Sequence, residues 1–252
     1  MVAPTYMEAI MTNILTREFY VSGNECDYDG RIHVHTLQSK LMDCAYIHAE
    51  DLDVSRQEVQ ALTGGGVWVL VRLGVSLNAP LHYPQTFTID TWPTGVKGPY
   101  FGRDYVIRRG DETVGQASSA WLIVNPDTTR IIRGRDLPQA DIHGNPGAAV
   151  CYDLEKIAPP DELKVIGRHI VQYADLDINN HVNNTRYLAI AANALALHTR
   201  RQCMTAWQIN YTEQCLSGEE IVLSSGVYDD RSLYVVGEVD GKRRFDMRVW
   251  LG

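Results

Sequence analysis

Eight residues near the start of the chain return, half changed, two thirds of the way along it. Asp27-Tyr-Asp-Gly-Arg-Ile-His-Val34 and Asp175-Leu-Asp-Ile-Asn-Asn-His-Val182 share four identities at a spacing of 148 (175 − 27). Each segment follows a short strand-like stretch and precedes a helical pattern. The chain therefore reads as two copies of one supersecondary unit. Such a duplication constrains the fold strongly, because both copies have to bury the same faces.

The elements repeat in order. Strands are predicted over 14–21 and 167–173, then an Asp-rich turn, then helices over 36–52 and 184–198, then several β segments. Val69, Val71, Leu73, Val75 and Leu77 alternate along one predicted strand, as do Ile209 and Tyr211 in the second half. Further strands are read at 86–92, 103–107 and 120–124, and at 221–223, 232–236 and 245–250. Leu37, Leu41, Cys44 and Ala45, continued by Ile47 and His48, form a core-facing helical stripe. The layout is α+β: two antiparallel sheets, each wrapped around one long helix, packed as a pseudo-dimer. The first repeat is assigned to 1–135 and the second to 161–252. A linker over 136–160, marked by Pro138, Pro146, Pro159 and Pro160, joins them.

Bulk properties exclude several classes. With 45% hydrophobic and 21% charged residues, the 252-residue chain has an ordinary globular composition. No apolar run approaches the roughly 20 residues of a membrane helix. Met1 to Asn13 carries no basic residue ahead of its apolar stretch, so no secretory signal is read, and it lacks the Arg and Ser of a transit peptide. The five cysteines are odd in number and scattered, as expected of reduced thiols in a cytoplasmic, bacterial protein. A net charge of −8 argues against nucleic acid as a partner. One basic stretch runs against that balance: Arg103, Arg108, Arg109, Arg130, Arg133 and Arg135 could form a surface for an acidic partner, although solvated arginines are the plainer reading.

The chemistry-bearing constellation is Asp177-x-Asn179-x-His181. Asp177 can serve as base or nucleophile, Asn179 can fix a water or the carboxylate, and His181 can orient or relay a proton. Alternate spacing is expected to place all three on one side of an extended turn. The helix that follows is expected to offer free N–H groups at Val182, Asn183 and Asn184 to an oxyanion and to the bound acyl group. Taken singly, each residue is an ordinary turn former or cap; the joint pattern is far more specific.

That pattern, Asp175-Leu-Asp-Ile-Asn-Asn-His-Val-Asn-Asn-Thr-Arg-Tyr187, resembles the acyl-ACP thioesterase family of the hot-dog superfamily. The likeness extends to Asp27-Tyr-Asp-Gly-Arg-Ile32, Trp68-Val-Leu-Val-Arg72, Thr91-Trp-Pro-Thr-Gly95, Arg103-Asp104 and Ser119-Ala-Trp121. The resemblance implies a double hot-dog with one active site near the junction of its repeats. It places the catalytic Asp, Asn and His on Asp177, Asn179 and His181, and gives acyl-chain binding to the first repeat. It also implies acyl carrier protein as partner, carrying the acyl group on phosphopantetheine, and no cofactor or metal. By the 148 spacing Arg31 stands where Asn179 stands, so the first copy of the site is degenerate. One departure concerns Tyr211-Thr-Glu-Gln-Cys215: where the family usually carries Glu, this chain has Gln214, with Glu213 one earlier. A one-residue slip on a strand reverses the face, so Gln214 is taken into the catalytic set as a water-holding residue and Asp177 as the group that does the work.

Other signals are weaker. Cys215 as nucleophile and His33-Val-His35 as a metal clip are both minor readings. Gly64-Gly65-Gly66 lacks the Lys-Ser/Thr of a phosphate loop, and no G-x-S-x-G is present. The expected reaction is hydrolysis of a fatty acyl-ACP thioester to fatty acid and carrier thiol. The rivals are an acyl-CoA thioesterase of the 4-hydroxybenzoyl-CoA type, a non-catalytic acyl-carrier binding protein, and a hot-dog dehydratase or hydratase. Chain-length preference is not legible, and both monomer and homodimer are compatible with the sequence.

Overall fold

The computed structural model describes residues 13–134, 137 and 154–252. Most of the expected linker, the N-terminal stretch before Asn13, Arg135 and Cys151 therefore lie outside the described residues. The first half runs β1 (Leu15–Tyr20), α1 (Val34–Asp51), α2 (Arg56–Thr63), β2 (Val67–Leu77), β3 (Thr86–Lys97), β4 (Tyr100–Arg109), β5 (Glu112–Val124) and β6 (Ile131–Ile132). The second runs β7 (Lys164–Ile170), α3 (Arg186–Ala194), α4 (Leu197–Arg200), β8 (Met204–Tyr211), β9 (Glu220–Asp229), β10 (Ser232–Val239) and β11 (Lys242–Leu251).

The strands form one sheet, ordered β1-β3-β4-β5-β2-β8-β11-β10-β9-β7, with β6 on β5. Two separate sheets were expected. They are instead continuous, because β2 and β8 pair antiparallel at the centre, with Leu73 opposite Ile209 and Val75 opposite Trp207. Read inward from either edge, the two halves have the same strand order, as a duplication requires. The helices also differ between halves. The stripe on α1 is buried as expected at Leu37, Leu41, Cys44, Ala45 and His48, with Ile47 half-buried. The second helix is shorter than the predicted 184–198: α3 starts at Arg186 and ends by Leu195, where Ala196 takes a left-handed backbone (φ 53°) before α4.

Alternation along β2 also breaks. A bulge between Leu70 and Arg72 reverses the face, so Leu70, Leu73 and Val75 are buried while Val69 is exposed. The main core lies between the helices and one face of the sheet. Trp207, Tyr105, Phe87 and Phe245 are its largest fully buried side chains. A smaller apolar cluster of Ile157, Tyr234 and Val236 lies apart from it. The segment after residue 153 is tied to the central strands, where Arg72 Nη1 donates to the Leu154 carbonyl (2.5 Å) and Gln208 Nε2 to that of Glu155 (2.6 Å). Among the described residues no helix is long and apolar enough to cross a membrane, and Cys26, Cys44, Cys203 and Cys215 are free thiols.

Candidate active site

The Asp177–His181 segment is a tight turn rather than an extended one. Asp177 N–H donates to the His181 carbonyl (3.0 Å) and Asn180 N–H to the Asp177 carbonyl (3.0 Å). Asn180 supplies the left-handed residue (φ 60°) that closes the turn, a conformation Asn tolerates well. Asp177 Oδ1 accepts the Asn179 N–H (2.8 Å), an Asx turn that commits one carboxylate oxygen to the backbone. His181 Nδ1 lies 3.8 Å from that same oxygen, and both side chains are partly buried. The turn thus joins Asp177 to His181. The Asn179 side chain is exposed and turned elsewhere: its Oδ1 accepts Arg56 Nη1 (2.9 Å) from the first half.

Below the turn, Asp175 anchors the whole segment. It is 2% exposed and accepts from Gln172 N–H (2.9 Å), from His169 Nε2 (2.7 Å) and from Arg186 Nε and Nη2 (3.1 Å each). Burial opposes its ionisation, but these donors prevail and hold its carboxyl below the ordinary range.

The expected trio of free N–H groups is corrected. Val182 N–H donates to the Cys215 carbonyl (2.9 Å) and Asn183 N–H to that of Asp175 (2.8 Å). Only the Asn184 N–H makes no hydrogen bond to a described residue. The cause is the late start of α3: residues 182–185 form the turn entering it, and Asn183 Oδ1 accepts Thr185 N–H (2.9 Å) and its hydroxyl (2.8 Å). Asn184 is instead held through its carbonyl, which accepts from Tyr211 Oη (2.8 Å) and from the buried Gln38 Nε2 (3.2 Å) on α1. Gln38 was not anticipated, although a polar residue beside Leu37 and Leu41 on a buried helix face was its signal.

Gln214 is exposed, in the loop after β8. Because β8 ends at Tyr211, Glu213 and Gln214 do not alternate across a strand as expected. Its neighbour Cys215 receives the Val182 N–H, which brings this loop beside the motif. Glu213 pairs with Arg244. Cys215 is fully buried and burial pushes its thiol up, against a nucleophilic role. His33 and His35 stack on each other (5.2 Å between rings).

The first-half turn has the same backbone bonds. Asp27 N–H donates to the Arg31 carbonyl, Gly30 N–H to the Asp27 carbonyl, Asp29 N–H to Asp27 Oδ1, and His33 N–H to the Glu25 carbonyl. These match the second-half bonds one for one at a spacing of 150 (177 − 27), not 148. The bridges Cys26–Ile32 and Leu176–Val182 agree with that spacing. Asp27 is therefore the counterpart of Asp177, Asp29 of Asn179 and Arg31 of His181. Arg31 does not stand at the place of Asn179. The first copy is filled by ion pairing, with Arg31 Nη1 3.1 Å from Asp29 and 3.9 Å from Asp27.

An apolar cavity of about 70 Å³ opens between α1 and the first-half sheet, lined by Ala45, Val54, Trp68, Pro93, Phe101 and Trp121. Several of these belong to the first-half words of the family resemblance. Tyr46 lines the same cavity, where its ring meets that of Trp121 edge-on (6.3 Å between centroids), and burial, then the Asp177 charge, pushes its hydroxyl pKa up. It was missed because Asp177, whose charge acts on it, lies more than a hundred positions away in the chain. Arg103 also lines the cavity; its buried Nη1 donates to His48 Nδ1 (2.9 Å) and Thr91 Oγ1 (3.2 Å). Burial, then the Arg103 charge, holds His48 neutral with a pKa of about 4. The proposed basic surface breaks up accordingly: Arg103 is inside, Arg108 pairs with Asp90 and Arg109 with Glu112.

Two sequence models decide the family. The acyl-ACP thioesterase N-terminal domain matches residues 12–136 and the C-terminal domain matches residues 160–240. The chain belongs to the acyl-ACP thioesterase family. It is 23% identical over 225 residues to a chloroplastic palmitoyl-acyl carrier protein thioesterase of Arabidopsis thaliana, covering 84% of this chain and 54% of that one. A chloroplastic acyl-[acyl-carrier-protein] hydrolase of Cuphea viscosissima is 24% identical over 227 residues, with the same coverage. The chain thus spans about half the length of the curated relatives it matches. Its fold is that of an acyl-ACP thioesterase from Bacteroides thetaiotaomicron (TM-score 0.82, 20% identity, 96% of this chain and 99% of that one). It is also that of the 12:0-ACP thioesterase from Umbellularia californica (TM-score 0.77, 17% identity, 95% and 97%).

Proposed function

We propose that this chain hydrolyses fatty acyl-ACP thioesters, releasing fatty acid and carrier thiol. The observation that carries the reading is the link between an apolar cavity in the first half and the Asp177–His181 turn of the second: Arg56, two residues after the cavity-lining Val54, donates to Asn179 Oδ1 (2.9 Å) within that turn. A thioester needs a site for its alkyl chain beside a site for its carbonyl. Here the two come from different halves of a double hot-dog, divided as 1–135 and 161–252 with a linker over 136–160. The acyl chain occupies the first-half cavity, and the phosphopantetheine arm of a carrier protein delivers the carbonyl to the turn. A cytoplasmic location goes with the free thiols.

Asp177 keeps Oδ2 outside the turn's own bonds, and this oxygen takes the proton of an attacking water or attacks the acyl carbon itself. His181 and Asn179 orient the reactants, and Gln214 holds water. The Asn184 N–H is the donor in place for the developing oxyanion, with Val182 and Asn183 shaping the turn that presents it. The carbon–sulfur bond then breaks, and the leaving thiolate takes up a proton; on the direct route the mixed anhydride left on Asp177 is then hydrolysed by water, which frees the fatty acid and restores the carboxylate.

With acyl-ACPs of graded chain length, the wild-type protein is expected to release free fatty acid. Asp177→Asn should lower kcat about a thousandfold with the fold intact by circular dichroism. Full turnover in that variant would remove Asp177 from the chemistry. The engagement of Glu213 by Arg244 leaves Asp177 without a second carboxylate from this loop, which favours a binding-only reading; acyl-ACP bound but never cleaved by the wild type would establish that alternative. Faster cleavage of matched acyl-CoA would move the substrate assignment to the CoA thioester.

A further inference from the structure

The structure points to Arg56 as a positioning residue that sets the orientation of the Asn179 amide from the other half of the molecule. This rests on the proposed thioester hydrolysis. Asn179 is exposed, and its N–H is already used in the Asx turn with Asp177. Its side chain is free to rotate unless something grips it. Arg56 Nη1 donates to Oδ1 at 2.9 Å, and an arginine has no acceptor to offer, so the bond is possible only with the amide oxygen turned toward it. The amide Nδ2, with its two donors, is thereby directed away from Arg56 and left for a carbonyl oxygen or a water.

The two copies of the turn show why an external grip matters. In the first half the counterpart of Asn179 is Asp29, and its partner is local, Arg31 two residues on at 3.1 Å. In the second half the counterpart of Arg31 is His181, which faces Asp177 instead. Asn179 thus loses the local partner and acquires one from α2. That helix belongs to the first half; the second half has only the four-residue α4 between its main helix and the next strand. Among the described residues the grip is therefore delivered to one copy of the turn only.

Arg56 is also placed to report on the cavity. It opens α2 two residues after Val54, which lines the cavity and whose carbonyl accepts the Trp68 indole N–H (2.9 Å). Leu52 and Trp68 line the same wall. The backbone that lines the cavity thus runs directly into the residue that holds Asn179.

The test is a double-mutant cycle on the full chain with a saturating acyl-ACP substrate. Arg56→Met is expected to lower kcat about tenfold, with KM and thermal midpoint little changed, and Arg56→Lys to recover part of the loss. In an Asn179→Ala background the same Arg56→Met change should cost nothing further. A full kcat in Arg56→Met, or an equal loss in both backgrounds, would overturn the role assigned to Arg56. A wild-type protein that cleaves no acyl thioester would overturn instead the hydrolase reading on which it rests.

Discussion

Adjacent residues on a strand can belong to different problems, and Arg103-Asp104 shows this. Arg103 faces the cavity among neutral partners, whereas Asp104 points to the opposite face, where it accepts the Ser118 hydroxyl (2.7 Å) and leaves Oδ2 buried without a bond among the described residues. Burial pushes the Asp104 carboxyl up to about 6. An acid with a raised folded pKa is a cost above that pKa, relieved as pH falls toward its unfolded value. Asp104→Asn is therefore expected to stabilise the protein at pH 8 by on the order of 2 kcal/mol. The gain should shrink as pH falls from 6 toward 4, because the wild-type carboxyl then protonates. Urea titrations of both proteins across that range measure it, and a pH-independent difference would contradict the sign. The sequence showed these two residues as a family word without showing that they face apart. It showed Asp177 and His181 directly. It could not show Arg56 or Tyr46, whose contacts join residues more than a hundred positions distant.

Among the elements, the turn is the clearest case of structure correcting sequence. Identity favoured a spacing of 148, but the hydrogen bonds repeat at 150. Backbone turns constrain the acceptor at the first residue and the left-handed residue at the fourth, and Gly30 and Asn180 satisfy the latter equally well. Identical letters two places out of register were accidents of an Asp- and His-rich segment. The strands themselves were legible from alternation; their order in the sheet, the bulge in β2 and the early end of α3 were not, since none of these has a periodic signal. Ala196 marks that helix end with a positive φ that costs an alanine roughly 1 kcal/mol. Ala196→Gly should raise the melting temperature by a few degrees. A lowered melting temperature would show that the loss of the methyl or added chain entropy outweighs the strain.

At the scale of the whole molecule, the seam between β2 and β8 makes two copies of a unit into one body. Gln38 and Arg56 reach across from the first half to Asn184 and Asn179, and Trp207 on β8 is fully buried opposite Val75 on β2. The halves are expected to unfold together. Denaturation followed by tryptophan fluorescence and by far-ultraviolet circular dichroism should give coincident transitions, and two separated steps would show that the seam does not couple them. The pairing of halves was legible in the sequence as a repeat, but their fusion into a single sheet was not, because edge-to-edge pairing leaves no pattern in either strand alone.

The duplicated turn has one more consequence. Its backbone closes identically around Asp-Asp-Arg and around Asp-Asn-His, so the scaffold is indifferent to the chemistry it displays. Asp29 and Arg31 fill the first copy with an ion pair of their own. The chain thus carries a second, pre-folded socket of the same backbone shape, into which another set of three side chains could be written.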